Sequence, residues 1–159
     1  MRKSQKGFSL IELLIVVAII LIIAAIAIPN LLRSRMAANE SSAVGSLRTI
    51  NTAEVTFSTT YPSVGFGSLA ALGGVAPCTT ATSTSACLLD STLSNTAVKS
   101  GYNFAVINLT GAPVIVTYSA TAVPTVVGQS GQRGFFTDQS GVIRYDPTGA
   151  APTNASAAL

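Results

Sequence analysis

The amino-acid sequence predicts an α+β chain in which a long N-terminal helix packs on a small antiparallel β-sheet. An apolar run over residues 8–28 predicts the first half of the helix. Apolar side chains that recur every three to four positions over residues 32–57 predict its second half. From residue 102 onward apolar and β-branched residues alternate with a period of two, which predicts the sheet.

The apolar run has the length and composition of a membrane-spanning segment. Residues 13–28 contain no polar side chain. A helix over residues 8–28 would rise about 31 Å, close to the ~30 Å hydrocarbon core of a bilayer. Three basic residues precede the run, and the positive-inside rule keeps them in the cytoplasm. These residues are Arg2, Lys3 and Lys6. We therefore expect the chain after Asn30 to lie outside the cytoplasm.

An ordinary secretory signal peptide and a plain transmembrane anchor both remain open as interpretations of this segment. Ala25-Ile26-Ala27 offers a small-residue cleavage site, but the apolar region of a signal peptide usually spans only about 7–15 residues. A plain anchor explains the length of the run. Neither interpretation explains an acidic residue, Glu12, near the start of the run.

Glu12 requires a partner, because a carboxylate inside a spanning helix costs about 3 kcal/mol even on insertion-based scales. No Lys, Arg or His lies between Gly7 and Arg33. A cationic partner must therefore come from another molecule or be created by processing. The alternative is that the Glu12 side chain extends to the cytoplasmic headgroups.

The residues Lys6-Gly7-Phe8-Ser9-Leu10-Ile11-Glu12, followed by the apolar run, closely resemble the processing site of type IV prepilins and type II secretion pseudopilins. The resemblance implies cleavage between Gly7 and Phe8 by a membrane-embedded prepilin peptidase, and N-methylation of Phe8. The new Phe8 ammonium could then neutralise Glu12 of a neighbouring subunit in a low-dielectric bundle, where such a pair is strong. This charge pair would set the axial stagger between subunits.

Pro29 lies at the end of the apolar run, where family members also carry proline. Proline removes the hydrogen bond to the Ala25 carbonyl, so a kink or local melting of the helix is expected there. We count Pro29 with Glu12 among the residues important for assembly.

The resemblance implies a structural subunit of a type IV pilus filament, with the pilin fold and no enzymatic activity. Its partners would be other copies of itself, the prepilin peptidase, the inner-membrane pilus assembly machinery, and membrane lipid before assembly. The precursor would lie in the bacterial inner membrane and the product in an extracellular pilus. Two alternatives stay open: a pseudopilin of a type II secretion system, acting in a periplasmic pseudopilus, and a membrane-anchored or secreted binding domain that never polymerises.

The chain divides into a cleaved basic leader, residues 1–7, an apolar transmembrane and assembly half-helix, residues 8–30, and an extracytoplasmic head, residues 31–159. In the head the amphipathic helix extends to about residue 58. A long connection follows over residues 63–100, with short helical pieces expected at 68–72 and 86–93. Strands are predicted at 102–109, 114–121, 134–137 and 142–145. The low-complexity tail, residues 149–159, is expected to be mobile.

Cys78 and Cys87 predict a disulfide, because they lie in a Ser/Thr/Ala segment beyond a membrane segment and therefore in an oxidising compartment. The chain has no His, which removes the commonest general base and zinc ligand. We predict no catalytic residue, cofactor or metal site. Asp138 and Asp146 could approach each other across a hairpin, but two carboxylates are weak evidence for Ca²⁺.

The formal net charge of +3 comes from the leader alone, and the chain from residue 8 onward has equal numbers of acidic and basic side chains. A basic pI is therefore poor evidence for nucleic-acid binding. No specific nucleic-acid site is predicted.

Overall fold

The computed structural model describes residues 7–74 and 78–159, so the leader predicted over residues 1–7 lies outside the described residues except for Gly7. The chain divides into two compact units, residues 1–35 and residues 36–159, which are described separately. The helix α1 spans Leu10–Thr60 and contributes residues to both units. Its bounds confirm the predicted long N-terminal helix.

The second unit contains the sheet. A short helix α2, Leu69–Leu72, and a π-helical segment, Thr92–Thr96, precede the strands. Within the described part of the chain, six strands form one antiparallel meander in chain order. They are β1 Val98–Lys99, β2 Tyr102–Thr110, β3 Thr117–Pro124, β4 Gly134–Asp138, β5 Arg144–Asp146 and β6 Ala157–Ala158. The α+β fold class predicted from the sequence is confirmed.

One face of α1 and one face of the sheet form the core of the second unit. The buried α1 residues recur at three- and four-residue steps, and Leu47, Ile50 and Phe57 are fully buried. Alternate residues of β3 contribute Tyr118, Ala120 and Ala122 from the sheet. Each large apolar side chain removed from water in this way contributes about 1.5–3 kcal/mol. The sheet therefore covers the apolar face of the outer helix half, as predicted.

Strand β3 begins at Thr117 rather than at residue 114, because Ile115 is already paired with the loop after α1. The Ile115 N–H donates to the Val64 carbonyl at 2.9 Å, and the Phe66 N–H donates to the Ile115 carbonyl at 3.0 Å. These bonds hold residues 64–66 against the chain just before β3. In a strand that began at residue 114, the backbone of Ile115 would have paired with β2 instead.

The helical piece predicted over residues 86–93 is wrong in position. The N–H groups of Ala86, Leu88 and Leu89 donate to the carbonyls of Ala71 and Leu72 in α2. Helical structure begins only beyond Asp90, whose Oδ1 accepts from the Leu93 N–H at 2.8 Å. Hydrogen bonds to a distant element therefore replace local helical ones. The piece predicted at 68–72 is confirmed as α2, with Ser68 as its N-cap.

The last residues of the tail, for which composition predicts mobility, form β6 and pair with β5. The Arg144 Nη1 group donates to the Ser156 carbonyl at 2.9 Å, and the Leu159 N–H donates to the Ile143 carbonyl at 2.9 Å. These bonds involve partners more than ten residues away, so composition alone gives no sign of them. The turn predicted after β4 is present, with Gly141 at φ +73.

Candidate processing and assembly segment

The peptide bond between Gly7 and Phe8 lies in a non-helical stretch that precedes α1. Phe8 is 81% exposed, and apart from the chain neighbours of Gly7 no heavy atom of a described residue lies within 4 Å of the position that a Gly7 Cβ would occupy. The backbone on either side of this bond is therefore open to a large enzyme. A proteolytic site needs such an accessible segment without regular structure.

Glu12 contacts the start of its own helix. Helix α1 begins at Leu10, which makes Ser9 the N-cap, and the Ser9 N–H donates to Glu12 Oε2 at 3.0 Å. This is one half of a capping box, in which a Glu three residues into the helix accepts from the N-cap backbone. The sequence pattern Ser9-Leu10-Ile11-Glu12 matches this motif, so Glu12 acts as a capping residue as well as a charge.

The Glu12–Ser9 contact leaves the charge of Glu12 without a counter-charge. Among the described residues the ion pairs are Lys99–Asp90 and Arg133–Glu40, and neither includes Glu12. Its second carboxylate oxygen, Oε1, has no hydrogen bond to a described residue. One oxygen therefore caps the helix, and the other is open to a cation from another molecule.

The first part of α1 exposes its apolar side chains on every side. No residue of its apolar window is buried within the chain, and by length and composition the helix could cross a membrane. Leu10 is 75% exposed and Ile22 is 62% exposed. A helix that is apolar all round is found either in a membrane or in the interior of an assembly. This surface requires an apolar environment that the first unit does not supply.

The structure keeps the residues on both sides of Pro29 helical. The local melting expected there is absent, although the proline still lacks the N–H that would reach the Ala25 carbonyl. The helix continues through Pro29 because proline removes only one of the many backbone hydrogen bonds of α1. Leu31 and Leu32 continue the exposed apolar surface beyond Pro29.

Cys78 and Cys87 form the predicted disulfide, with their Cα atoms 5.8 Å apart. The bridge closes a short loop beside α2. The Cys87 N–H donates to the Gly73 carbonyl at 2.9 Å, which fixes one end of this loop to the end of α2. The disulfide prediction is confirmed, and its role is to restrain the long connection between α1 and the sheet.

Asp138 and Asp146 do not meet. Asp146 pairs with Gly134 at one end of β4, whereas Asp138 is the last residue of that strand. Each carboxylate accepts hydrogen bonds from its own turn, Asp138 from Ser140 and Asp146 from Thr148. No cluster of three His, Cys, Asp or Glu side chains able to hold a metal occurs in residues 7–74 and 78–159.

Sequence reasoning missed two acidic residues on the buried face of α1. Glu40 is 8% exposed and pairs with Arg133, and Glu54 is fully buried and accepts from the Gly67 N–H at 2.9 Å. A signal for them was present, because positions 40, 43, 47, 50, 54 and 57 follow the same three- and four-residue steps. An acid in that register predicts a buried carboxylate with a specific partner.

Comparison with known proteins gives one family match, in the N-terminal part of the chain, and two similar relatives. The prokaryotic N-terminal methylation motif matches residues 2–28. The type IV wide pilus major component PilA4 of Thermus thermophilus is 62% identical over 39 residues, which is 24% of this chain and 30% of that protein. The type IV major pilin protein PilA of Myxococcus xanthus is 50% identical over 53 residues, which is 33% of this chain and 24% of that protein.

The matched stretches thus span between 24% and 30% of the curated relatives' own length. No solved structure matches the chain significantly. The methylation motif lies within residues 2–28, and the sheet is described from this structure alone. The chain therefore carries the prokaryotic N-terminal methylation motif and is similar over part of its length to two type IV pilins, and its structure joins a long apolar helix to an antiparallel sheet.

Proposed function

We propose that this chain is a structural subunit of a type IV pilus filament, made as a prepilin in the inner membrane and polymerised through its N-terminal helix. The observation that carries the proposal is that the first part of α1 is apolar, has no buried residue, and lies within a match to the prokaryotic N-terminal methylation motif. Burying each of its Leu or Ile side chains is worth about 1.5–3 kcal/mol. Lipid covers this surface in the precursor, and other copies of the helix cover it in the filament.

Processing creates the charge that assembly requires. The prepilin peptidase hydrolyses the exposed Gly7–Phe8 bond, which leaves a free ammonium group on Phe8, and N-methylation of that group follows. The inner-membrane pilus assembly machinery then moves the subunit from lipid into the filament. The role of the chain in these steps is structural, and the peptidase and the assembly machinery supply the catalysis.

Glu12 has two tasks in this proposal. Oε2 keeps its hydrogen bond with the Ser9 N–H and stabilises the first turn of α1. The other oxygen accepts the Phe8 ammonium of a neighbouring subunit. Because a buried pair tolerates little axial displacement, the contact fixes the stagger of helices that are otherwise uniformly apolar.

Pro29 provides a weak point in the same helix. The Ala25 carbonyl has lost its usual donor there, so the backbone opens at lower cost than elsewhere in α1. We place local melting of the helix in the filament, where subunit packing can offset the lost hydrogen bonds.

The test compares Glu12→Gln with Glu12→Ala in cells that express the chain with its peptidase and assembly machinery. Glutamine keeps an oxygen for the Ser9 N–H but carries no charge, whereas alanine loses both functions. We expect methylated Phe8 at the N-terminus of both variants by mass spectrometry, and at least a tenfold reduction in filaments by electron microscopy. Gln129→Ala, at an exposed position between β3 and β4 and outside the apolar helix, is the control and should assemble normally.

Normal filaments from Glu12→Gln would show that capping, not charge, is what Glu12 contributes. If the mature wild-type chain begins at Ile28, the proposal is wrong and the segment before it is an ordinary secretory signal peptide. Correctly processed subunits that form only short periplasmic filaments would favour the pseudopilin. Processed subunits that never polymerise would favour a membrane-anchored binding domain.

A further inference from the structure

The face of the sheet that points away from α1 carries a groove of about 610 Å³, here called the outer-face groove. Tyr118 and Ala120 of β3 point into the core, so the alternate residues Ser119 and Thr121 point to the opposite face. Residues 151–154 of the C-terminal segment form one wall of the groove. The groove therefore lies between the outer surface of the sheet and the chain that crosses it.

The floor of the groove carries two hydroxyl groups that have no hydrogen-bond partner among the described residues. Ser119 is 9% exposed and Thr121 is 6% exposed, yet neither hydroxyl has a hydrogen bond to a residue that the structure describes. Neither oxygen is among the fully enclosed atoms that lack a partner, so both are open to the groove. Such groups favour an occupant that can donate and accept hydrogen bonds.

One carboxylate oxygen also faces this region. Asp138 lies opposite Ser119 in the β3–β4 ladder and lines the groove. Its Oδ1 accepts from the Ser140 N–H and the Ser140 hydroxyl, while Oδ2 has no hydrogen bond to a described residue. The amides of Gln139 and Asn154 also line the groove without a protein partner in the described chain.

Apolar surface lies among these polar groups. Phe136 stands opposite Thr121 in the β3–β4 ladder, and Ile107 stands opposite Ser119 in the β2–β3 ladder. Both line the groove. Hydroxyl, carboxylate and amide groups set around a small apolar patch match the surface of a sugar, which has hydroxyls at its rim and C–H groups on its faces.

Other classes of ligand fit less well. None of the described residues that line the groove is Lys or Arg, and Asp138 would repel an anion. A single carboxylate gives a divalent cation too few ligands. Strand β3 is paired on both sides, by β2 and by β4, so it has no free backbone edge to which a peptide strand could add.

We propose that the outer-face groove binds a neutral saccharide of about one to three sugar units, a size that suits its volume. Sugar hydroxyls donate to Asp138 Oδ2 and exchange hydrogen bonds with Ser119, Thr121 and the rim amides. The apolar face of one sugar ring packs against Phe136 and Ile107.

The test uses the full-length chain, fluorescently labelled and held in phosphocholine micelles, because sugar-based detergents would compete for the groove. The probe is an array of immobilised neutral and acidic oligosaccharides. We expect binding to neutral oligosaccharides and at least a tenfold loss of affinity in Thr121→Val and in Asp138→Asn. Asn keeps an oxygen for the turn with Ser140, and Val keeps the shape of Thr. Circular dichroism spectra should match those of the wild-type chain.

Thr52→Val is the matched control, because its hydroxyl donates to the Arg48 carbonyl on α1, outside the groove. It should bind within twofold of wild type. Failure to bind any neutral oligosaccharide, binding only to acidic ones, or equal binding by wild type and both groove variants would each overturn the proposal. The measurement is made on unassembled protein, so its result does not depend on filament formation.

Discussion

Glu40 and Glu54 lie on the same buried face of α1 but in opposite electrostatic environments. Glu40 Oε1 accepts from the N–H groups of Gln132 and Arg133, and Oε2 accepts from the Arg133 guanidinium at 2.8 Å. Burial raises the pKa of Glu40, but these donors outweigh it and the net pKa is lowered. Glu54 has one donor, the Gly67 N–H, and burial raises its pKa to about 7.

We predict that Glu54→Gln removes a pH dependence from the stability of the head. The raised pKa means that the folded head binds the Glu54 proton more tightly than the unfolded chain does. Its stabilising effect is complete below the unfolded value near 4.5 and is lost as pH rises through about 7. Ionisation at pH 8 costs on the order of 3 kcal/mol. The Gln variant should lose less stability than wild type between pH 5 and pH 8.

The measurement is urea unfolding of the full-length chain in micelles, followed by near-ultraviolet circular dichroism at several pH values. Equal pH dependence in wild type and Glu54→Gln would contradict the assignment. Thr56→Val, which changes an exposed position of the same helix whose hydroxyl donates to the Thr52 carbonyl, should retain the wild-type pH dependence.

Glu40→Ala should destabilise the head by about 2 kcal/mol at pH 7, because it leaves the Gln132 and Arg133 N–H groups without an acceptor. The contribution of Glu40 has the opposite pH dependence to that of Glu54. A lowered pKa gives stability that is present above the unfolded value and is lost as pH falls through the folded value. The variant should therefore be less sensitive than wild type to acid below about pH 4.5.

Lys99→Met is the control for Glu40→Ala, since it removes the exposed Lys99–Asp90 pair and should cost less than about 1 kcal/mol. Equal destabilisation by the two variants in urea unfolding would show that Glu40 is no more important than a surface ion pair.

The loop after α1 is held to the sheet by a close backbone contact at Gly65. Gly65 forms a bridge with Ile115 and has φ +85. A Cβ atom at Gly65 would lie 1.9 Å from the Ile115 carbonyl oxygen. Only glycine therefore allows this loop to approach the chain before β3, and the same loop supplies the Gly67 N–H that binds Glu54.

Gly65→Ala should cost at least about 2 kcal/mol, because the side chain adds a backbone clash to the strain of a positive φ. Gly128→Ala is the matched control: it has φ +81 but no heavy atom within 4 Å of its Cβ position. The control should lose only about 1 kcal/mol. Hydrogen exchange at Ile115, whose N–H donates to Val64, should rise in Gly65→Ala and stay unchanged in Gly128→Ala. Unchanged exchange in both variants would contradict this account.

At the scale of the whole molecule, one unit buries its apolar side chains and the other exposes them. Residues 36–159 bury a core between α1 and the sheet, whereas α1 in residues 1–35 leaves its apolar side chains exposed. In the proposed function the head keeps its fold both while the N-terminal helix lies in the membrane and after the subunit joins the filament. In that proposal the environment of the exposed helix changes between the two stages, and the helix melts locally near Pro29 in the filament.

Gly7→Ile should block processing and assembly together. A branched side chain at the cleavage position would obstruct the peptidase, and without cleavage Phe8 has no ammonium to neutralise Glu12. We expect full-length precursor in the membrane fraction by mass spectrometry and no filaments by electron microscopy. Ser4→Ala, a leader variant outside the cleavage site, should be processed and assembled normally. Filaments built from uncleaved Gly7→Ile chains would contradict the charge-pair proposal.

The sequence by itself determined the features that depend on neighbours along the chain. The apolar run and its amphipathic continuation predicted α1 to within two residues of its end at Thr60. The alternation after residue 102 predicted β2 and β4, and the compartment implied by the membrane segment predicted the Cys78–Cys87 bridge. Each of these features follows from local periodicity or from composition, and no contact between distant residues changes it.

Only the tertiary structure decided the features that depend on partners distant in sequence. The start of β3, the non-helical residues 86–90 and the pairing of β6 are set by hydrogen bonds to Val64, α2 and β5. The opposite pKa shifts of Glu40 and Glu54 likewise depend on which backbone N–H groups the loops bring to α1. A buried polar group needs a hydrogen-bond partner, and the tertiary structure determines which distant group becomes that partner.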